Sequence, residues 1–479
     1  MSRFDEHIID SLGPAEQFKK LKTKKIVESK ENKEVNVVII TSRNESKSEK
    51  LYVTAQRLVD TCSKKHIPYY VLFIENSHII KDDNGDYTIH NWNDKKGFQI
   101  FPDKTVVINR GSVMQKKSSL NIISQLEKAN IFCINNRLAI ETCSDKYRTM
   151  LKMGAAAITS PKTALLQSMD TLDYALEQLD SDFPYIVKTI SGSKGVGVFF
   201  SESMKSLTSI LQVIWKINEE EELLIQEFIP APFDIRAHVL GDEVIAAMKR
   251  FVIKDDFRSN YSQGGKIKKV KLTDEEKDIC IKASKAVGAT WGGVDFISNK
   301  KGEPFILEVN SSPGTAGIEE ATGQDITGEV INWVLDKNNW VKVANEIGFK
   351  ETVEFDGEEI VAKFDTGNGS LCVMHADKYD INEKNKTVTW SYNKKKFKHP
   401  YKKIKDVHVG GMRDYTEKRP IVELDIIFDG IIFKEIDFTL DNRSKRTPIL
   451  INRRFMRKAN IMVNAAKSFV VTTKPEKIK

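Results

Sequence analysis

The stretch Trp291–Gly314, WGGVDFISNKKGEPFILEVNSSPG, constrains this chain more than any other. Val294, Phe296 and Ile297 precede the polar turn Asn299-Lys300-Lys301-Gly302, and Phe305-Ile306-Leu307 follow it. That is the pattern of two strands joined as a hairpin. Side chains alternate along a strand, so Glu308 and Asn310 share a face. Asp295, near the end of the partner strand, is expected to meet them across the hairpin. Two carboxylates and an amide oxygen form an oxygen-only donor set, which suits magnesium held partly through phosphates and not zinc. A solvated hairpin with polar outward residues would carry the same letters, so the rest of the chain has to decide.

At 479 residues the chain exceeds one ordinary core, and several domains are expected. No apolar run approaches the roughly 18 residues of a membrane span. The opening MSRFDEHIIDSLGPAEQFKK has charges scattered through it and does not read as a secretory signal. Five cysteines with no CxxC pair fit reduced thiols in a cytoplasm. The net charge of +7 permits an acidic partner without demanding nucleic acid, which is not expected here.

Residues 1–33 read as a polar, lysine-rich arm. From 34 to 144, strands at Val35–Thr41, Tyr69–Ile74, Thr105–Asn109 and Ile131–Asn135 alternate with helical stretches, which implies a mostly parallel α/β sheet. Residues 78–100 read as a hairpin or loop insertion. No glycine-rich turn follows the first strand, which excludes a dinucleotide-binding unit. Ser144 is read as the N-cap of a helix carrying Lys146 in its first turn, where a lysine opposes the helix dipole unless it faces an anion. Tyr185–Ile190 leads into the glycine-rich turn that contains Gly195 and Gly197, and Val198–Phe200 leads out of it. Such a turn folds closely over phosphates through bare N–H groups. Lys188, in an otherwise apolar strand, calls for an anionic partner. Leu223–Ile229 ends in exposed backbone of the kind an adenine edge needs. Asp234 and Arg236 share a strand face, and Arg250 ends the strand that follows.

In this order, Lys146, Lys188 with GSKGVG, QEFI, DIR, DFRSN…GG, GGVDF and EVNSSPG resemble an ATP-grasp ligase of the RimK glutamate-ligase type, over roughly residues 35–340. The resemblance implies an α/β pre-ATP-grasp domain followed by an α+β ATP-grasp fold at 145–340. It places Lys146, Lys188, Gly195 and Gly197 at phosphates, Glu227, Phe228 and Ile229 at adenine, and Asp234 at the ribose. Arg258, Ser259 and Asn260 would lie at the triphosphate. Asp295, Glu308 and Asn310 would bind two Mg2+ ions, or Mn2+ in their stead. The implied chemistry activates a carboxylate as an acyl phosphate, which an amine then attacks. Arg236, Arg250 and Arg258 are the candidates to stabilise the transferred phosphoryl group and the oxyanion. No general base stands out. The implied partners are an amino acid, glutamate favoured, and a peptide or protein carboxylate acceptor.

A linker near 338–348 precedes an all-β pattern. The Asp365-Thr366-Gly367 turn, followed by FTLDNRS…PILINRRF, resembles the retropepsin-like domain of the "ATP-dependent zinc protease" family, over 349–473. Aspartic proteolysis needs two carboxylates sharing a proton, and one DTG per chain requires a homo-oligomer to supply the second. Asn452 stands where that family's glycine is usual, so Asp365 is expected to serve peptide binding ahead of cleavage. Cys372 and His375 are too few for a zinc site. Two readings rival the ligase: an aspartic-type protease regulated by ATP-binding lobes, and a peptide-binding adaptor. The lysine-rich KKKFKHPYKKIK reads as a solvated hairpin or as a dock for an acidic tail.

Overall fold

The computed structural model describes residues 35–42, 51–82, 85–92, 94–111, 116–190, 197–252, 266–340, 342, 344–408 and 416–475. The N-terminal arm, Gly195, Arg258, Ser259 and Asn260 lie outside the described residues. Two compact units are formed, one from the described residues of Met1–Ile79 and Ile89–Val341, the other from those of Ile80–Thr88 and Lys342–Lys479.

The first unit opens with β1 (Asn36–Thr41), α1 (Val53–Lys64), β2 (Tyr69–Phe73), β3 (Thr105–Asn109), α2 (Lys117–Lys128) and β4 (Phe132–Ile134). The strands form a parallel sheet in the order β2-β1-β3-β4, as the alternation with helices predicts. The β-branched run VVII buries fully because parallel strands are covered on both faces. The stretch 78–100, read as a hairpin or loop insertion, is occupied by three short strands, the first starting one residue earlier: Ser77–Lys81, Tyr87–Asn91 and Phe98–Ile100.

Next come α3 (Arg137–Ser144) and α4 (Lys146–Ala155). The N-cap of α4 is Asp145 and not Ser144. The preceding helix runs through Ser144, whose hydroxyl donates back to the Glu141 carbonyl. The Asp145 carboxylate accepts from the Arg148 amide at 2.9 Å and puts a negative charge where the helix dipole favours one.

A four-stranded antiparallel sheet follows, built from β5 (Thr163–Leu166), β6 (Tyr185–Thr189), β7 (Val198–Ser201) and β8 (Leu223–Glu227) in the order β7-β6-β8-β5. It is backed by α5 (Leu172–Leu179) and α6 (Met204–Ile217), which join Leu172, Leu179, Leu207 and Leu211 to Val187 and Ile225 in one core. The unit's last sheet contains β9 (Phe233–Leu240), β10 (Glu243–Phe251), β11 (Ile267–Lys269), β12 (Trp291–Ser298) and β13 (Pro304–Asn310) in the order β11-β10-β9-β12-β13. Helix α7 (Asp274–Ala286) packs on it and starts with a complete capping box, Thr273 with Glu276. Helices α8 (Ala316–Thr322) and α9 (Ile326–Leu335) share a core with the first sheet through Ile318, Val330, Ile331 and Val334.

Among its described residues the second unit is all-β apart from one short helix. Its strands are β14 (Asn345–Gly348), β15 (Lys350–Phe355), β16 (Glu358–Phe364), β17 (Cys372–His375), β18 (Tyr379–Asn382), β19 (Thr387–Tyr392), β20 (Lys395–His408), β21 (Thr416–Phe428), β22 (Ile431–Asp441), β23 (Ile449–Ile451) and β24 (Ile461–Asn464), with α10 (Arg453–Lys458) before the last. The large sheet runs β15-β16-β23-β17-β22-β21-β20-β19-β18, and a further β15–β21 pairing closes it into a barrel. Among the described residues no helix is long and apolar enough to cross a membrane.

Candidate active site

The site is a row of alternating charges across three adjacent strand pairs. Register sets Asp234 opposite Arg250, Arg236 opposite Asp295, and Asp295 opposite Glu308. Arg250 grips Asp234 with two hydrogen bonds of 2.6 Å and reaches Asp295 at 2.7 Å. Arg236 grips Asp295 at 2.6 and 2.5 Å and lies 3.7 Å from Glu308. Asp234, Arg250 and Asp295 are 8%, 5% and 3% exposed, so these pairs are shielded from water. Burial alone would push the Asp295 carboxyl up. The adjoining Arg236 and Arg250 guanidiniums outweigh it and hold the group well below the usual carboxylate range.

A β-bulge aims the last carboxylate. Phe296 pairs with Ile306, but Asp295 pairs with Glu308, so Leu307 is the extra residue. Ile306 thereby joins Phe296 in the core, while Glu308 faces the same side as Asp295. Without this insertion strict alternation would give Ile306 and Glu308 one face. The Glu308 side chain is 44% exposed. Its crowded setting and the nearby Asp295 charge push its carboxyl upward, an effect that this access to water moderates. Asn310 lies opposite Gly293 and accepts from the Ser312 amide at 2.8 Å.

One lysine comes from the other sheet and one from the first turn of α4. Lys188 on β6 donates to Gln226 at 2.6 Å, and Gln226 in turn donates to Thr163 at 2.8 Å. Burial pushes the Lys188 ammonium down to about 8; Glu308 opposes the shift and Lys146 adds to it. Lys146 donates to the Thr189 and Ile190 carbonyls at 3.0 and 3.2 Å, and burial lowers it too. Both lysines feel Glu308, which places them near the charged row. Gly197 has φ +76°, and a side chain there would strike the Thr189 hydroxyl at 2.3 Å, so the β6–β7 turn requires glycine. At the end of β8, Glu227 accepts from the Lys162 amide at 2.8 Å, while Phe228 packs edge-on to Phe200 and stays half-buried with Ile229.

The structure gives several expected ligand contacts prior commitments, and the two Asp295 oxygens already accept three hydrogen bonds from Arg236 and Arg250. Both Asp234 oxygens accept from Arg250, so a ribose hydroxyl has to compete for them. Arg250, the candidate for the transferred phosphoryl group, is already paired with the carboxylates of Asp234 and Asp295.

Sequence reasoning missed Asn135. Its amide donates to the Trp291 and Ser311 carbonyls at 2.7 and 2.6 Å and accepts from the Thr290 and Trp291 amides at 2.7 and 2.9 Å. Nearby, Arg110 stacks 4.2 Å over the Trp291 ring and donates to the Pro313 carbonyl, and the Gly111 amide donates to Ser312 at 2.9 Å. The carboxyl ends of β3 and β4 thus hold the loop that follows Asn310. A polar residue closing the buried run IFCI was the only signal in the sequence.

The donors Asp295, Glu308 and Asn310 are all hard oxygens on neighbouring strand positions, which fits a divalent ion such as Mg2+. Among the described residues no cluster of three His, Cys, Asp or Glu side chains offers a rival metal site. The RimK-like ATP-grasp domain family matches residues 143–334, and the family described as retropepsin-like aspartic endopeptidase RimB matches 346–474. The fold and the match define an ATP-grasp ligase, an enzyme that forms C–N bonds. A probable alpha-L-glutamate ligase of Coxiella burnetii is 38% identical over 219 residues, 45% of this chain and 71% of that protein. One of Marinobacter nauticus is 35% identical over 242 residues, 50% of this chain and 79% of that protein. The chain belongs to the RimK-like alpha-L-glutamate ligase family and carries a RimB-like retropepsin domain after the ligase unit. A solved ATP-grasp ligase, PsnB with its minimal precursor, aligns at TM-score 0.48 and 19% identity, over 63% of this chain and 98% of that one.

Proposed function

We propose that the ligase unit uses ATP and Mg2+ to activate a peptide or protein C-terminal carboxylate and joins an amino acid, glutamate favoured, to it. The observation that carries this reading is the row Arg236–Asp295–Glu308, with Lys146 and Lys188 nearby. It combines hard oxygens for a metal with cations for phosphates. The γ-phosphoryl group of ATP passes to the carboxylate oxygen to give an acyl phosphate. The amine attacks the acyl carbon, the C–N bond forms, phosphate leaves with the C–O bond electrons, and the proton shed by the amine goes to solvent or to phosphate. Lys146 and Lys188 hold phosphate oxygens, Asp295, Glu308 and Asn310 hold the metal, and Arg236 neutralises charge at the transferring group. A divalent ion held by these oxygens would supply charge to offset that of the phosphates. Similarity to proteins named for glutamate ligation supports the choice of amino acid.

The test is ADP release with Mg2+-ATP, a peptide acceptor and each of the twenty amino acids, read beside product mass. Glutamate-dependent ADP release with product growing by single glutamyl steps is expected. ADP release with other amino acids but not with glutamate would overturn the choice of glutamate. Absence of ADP release with any acceptor would overturn the ligase reading.

Lys188 gives a pH prediction. Its protonated form attracts phosphate, and its pKa lies near 8 before nucleotide binds. ATP affinity is therefore expected to fall as pH rises through about 8. Calorimetric titration of Lys188→Arg should show no such fall, because guanidinium stays charged. An identical inflection in that variant would assign it to another group.

The retropepsin-like unit is proposed to hold peptide. Asp365 accepts from the Gly367 amide at 3.0 Å and lies 3.7 Å from Lys363, at a partly exposed position. Two such carboxylates meet only if a second copy contributes one. Asp365→Asn should leave ADP formation within about twofold of wild type, since surface changes are seldom felt at a distance. Peptide cleavage surviving this substitution would show that Asp365 is not its catalyst.

A further inference from the structure

We propose that the outer side of β20 is a docking surface for an extended acidic peptide. Residues 394–405 contain seven lysines and no acid. On the inner side, Phe397 pairs with Trp390, His399 with Val388 and Tyr401 with Val422, in or against the barrel core. Lys396 and Lys398 therefore point outward, opposite Ser391 and Thr389. Strict alternation would turn Lys403 and Lys405 inward with Tyr401. A bulge between Tyr401 and Lys403 reverses the alternation and sets Lys403 beside Ile421 and Lys405 beside Arg419. All four lysines thus share one side of one strand, and all four are exposed.

Their neighbours in the row are already committed. Lys395 is paired with Glu358, and Lys402 with Glu423 and Asp437. Arg419 is taken by Glu417 and Asp441. Among the described residues no carboxylate lies within ion-pair distance of Lys396, Lys398, Lys403 or Lys405, while Glu358, Glu423, Asp437, Glu417 and Asp441 are paired with other cations. Side chains two apart on a strand repeat about every 6.6 Å, the same repeat as one face of an extended peptide, and the span from Lys396 to Lys405 is about 30 Å. Alternate carboxylates of a glutamate- or aspartate-rich segment therefore match the lysines in spacing as well as in charge. The aromatic residues of this region, Phe397 and Trp390, face the core, so the surface offers no platform for stacked bases. The inference concerns docking alone and stands whichever amino acid the ligase adds.

The experiment uses the full chain and fluorescein-labelled octaglutamate, read by anisotropy. Salt-sensitive binding is expected, with affinity falling about tenfold or more between 0.05 and 0.3 M salt. The quadruple variant Lys396→Glu, Lys398→Glu, Lys403→Glu, Lys405→Glu should lose about tenfold or more at low salt, and the four Lys→Gln changes a smaller part. Charge reversal at Lys205, Lys216, Lys300 and Lys301 should leave binding within about twofold. Thermal melting shows whether each variant is folded, and the Lys→Gln set carries the test if the Glu set is not. Undiminished binding by both folded β20 variants, or equal binding of octaglutamine, overturns the proposal. Tighter binding of oligothymidylate than of octaglutamate overturns it in favour of a nucleic-acid surface. Octaglutamate binding with no glutamate-dependent ADP release would sink the proposed ligase substrate and leave the dock standing.

Discussion

Asp295→Asn is expected to lower ADP formation by about 100-fold or more, the usual scale for removing one charge or donor from a preorganised electrostatic site. The substitution keeps the shape of the side chain and removes its charge. That charge faces two arginines at 2.5–2.7 Å and supplies an oxygen to the metal set. Because those arginines hold the carboxyl well below its usual range, it stays ionised throughout the working pH range, and no mild acid treatment mimics the variant. Glu308→Gln is the companion measurement, since Glu308 is more exposed and its loss leaves the arginine pairs of Asp295 and Asp234 intact. It should also reduce turnover steeply, with an unchanged melting temperature. Near-normal kcat in both variants at saturating Mg2+ would remove these residues from the metal site.

Arg250→Met should destabilise the ligase unit by about 3–5 kcal/mol, the scale for removing one partner of a buried ion pair. The reason is what remains. Asp234 loses both of its hydrogen bonds from Arg250, and Asp295 loses one of its three. Adding Asp234→Asn removes the carboxylate charge that Arg250 had balanced and should recover part of the loss. The sign with pH follows from Asp295. Its depressed carboxyl contributes stability above its unfolded value, and that stability disappears only as pH falls through the lower, folded one. The Arg250→Met variant should therefore show a smaller stability loss on acidification than the wild-type chain. Equal melting temperatures for wild type and Arg250→Met would show that the buried grip is not what holds β9, β10 and β12 in register.

The hairpin was legible because its apolar runs are bounded by a polar turn, and the shared face of Glu308 and Asn310 follows from period-two alternation, whereas the meeting of Asp295 with Glu308 depends on the bulge. The bulge at Leu307 was not legible, since it is set by Ile306 packing against Phe296 and not by local propensity. The parallel sheet announced itself through continuous β-branched runs. The α4 cap was misplaced because α3 and α4 adjoin, and a helix already under way claims Ser144. The grip of Arg250 on Asp234 depends on β9–β10 pairing, which alternation along either strand alone does not specify. Asn135 meets its partners across more than 150 residues of chain, where a single sequence carries no pattern.

The four hydrogen bonds of Asn135 make the ligase indivisible in a practical sense. The RimK-like match starts at residue 143, yet the backbone before β12 and after β13 is pinned from residue 135. A fragment cut at the family boundary would keep Asp295, Glu308 and Asn310 and lose the anchor that sets their loop. Grafting a foreign first sheet would have to reproduce this amide, the stacked Arg110 and the Gly111–Ser312 contact before the transplanted metal ligands could converge.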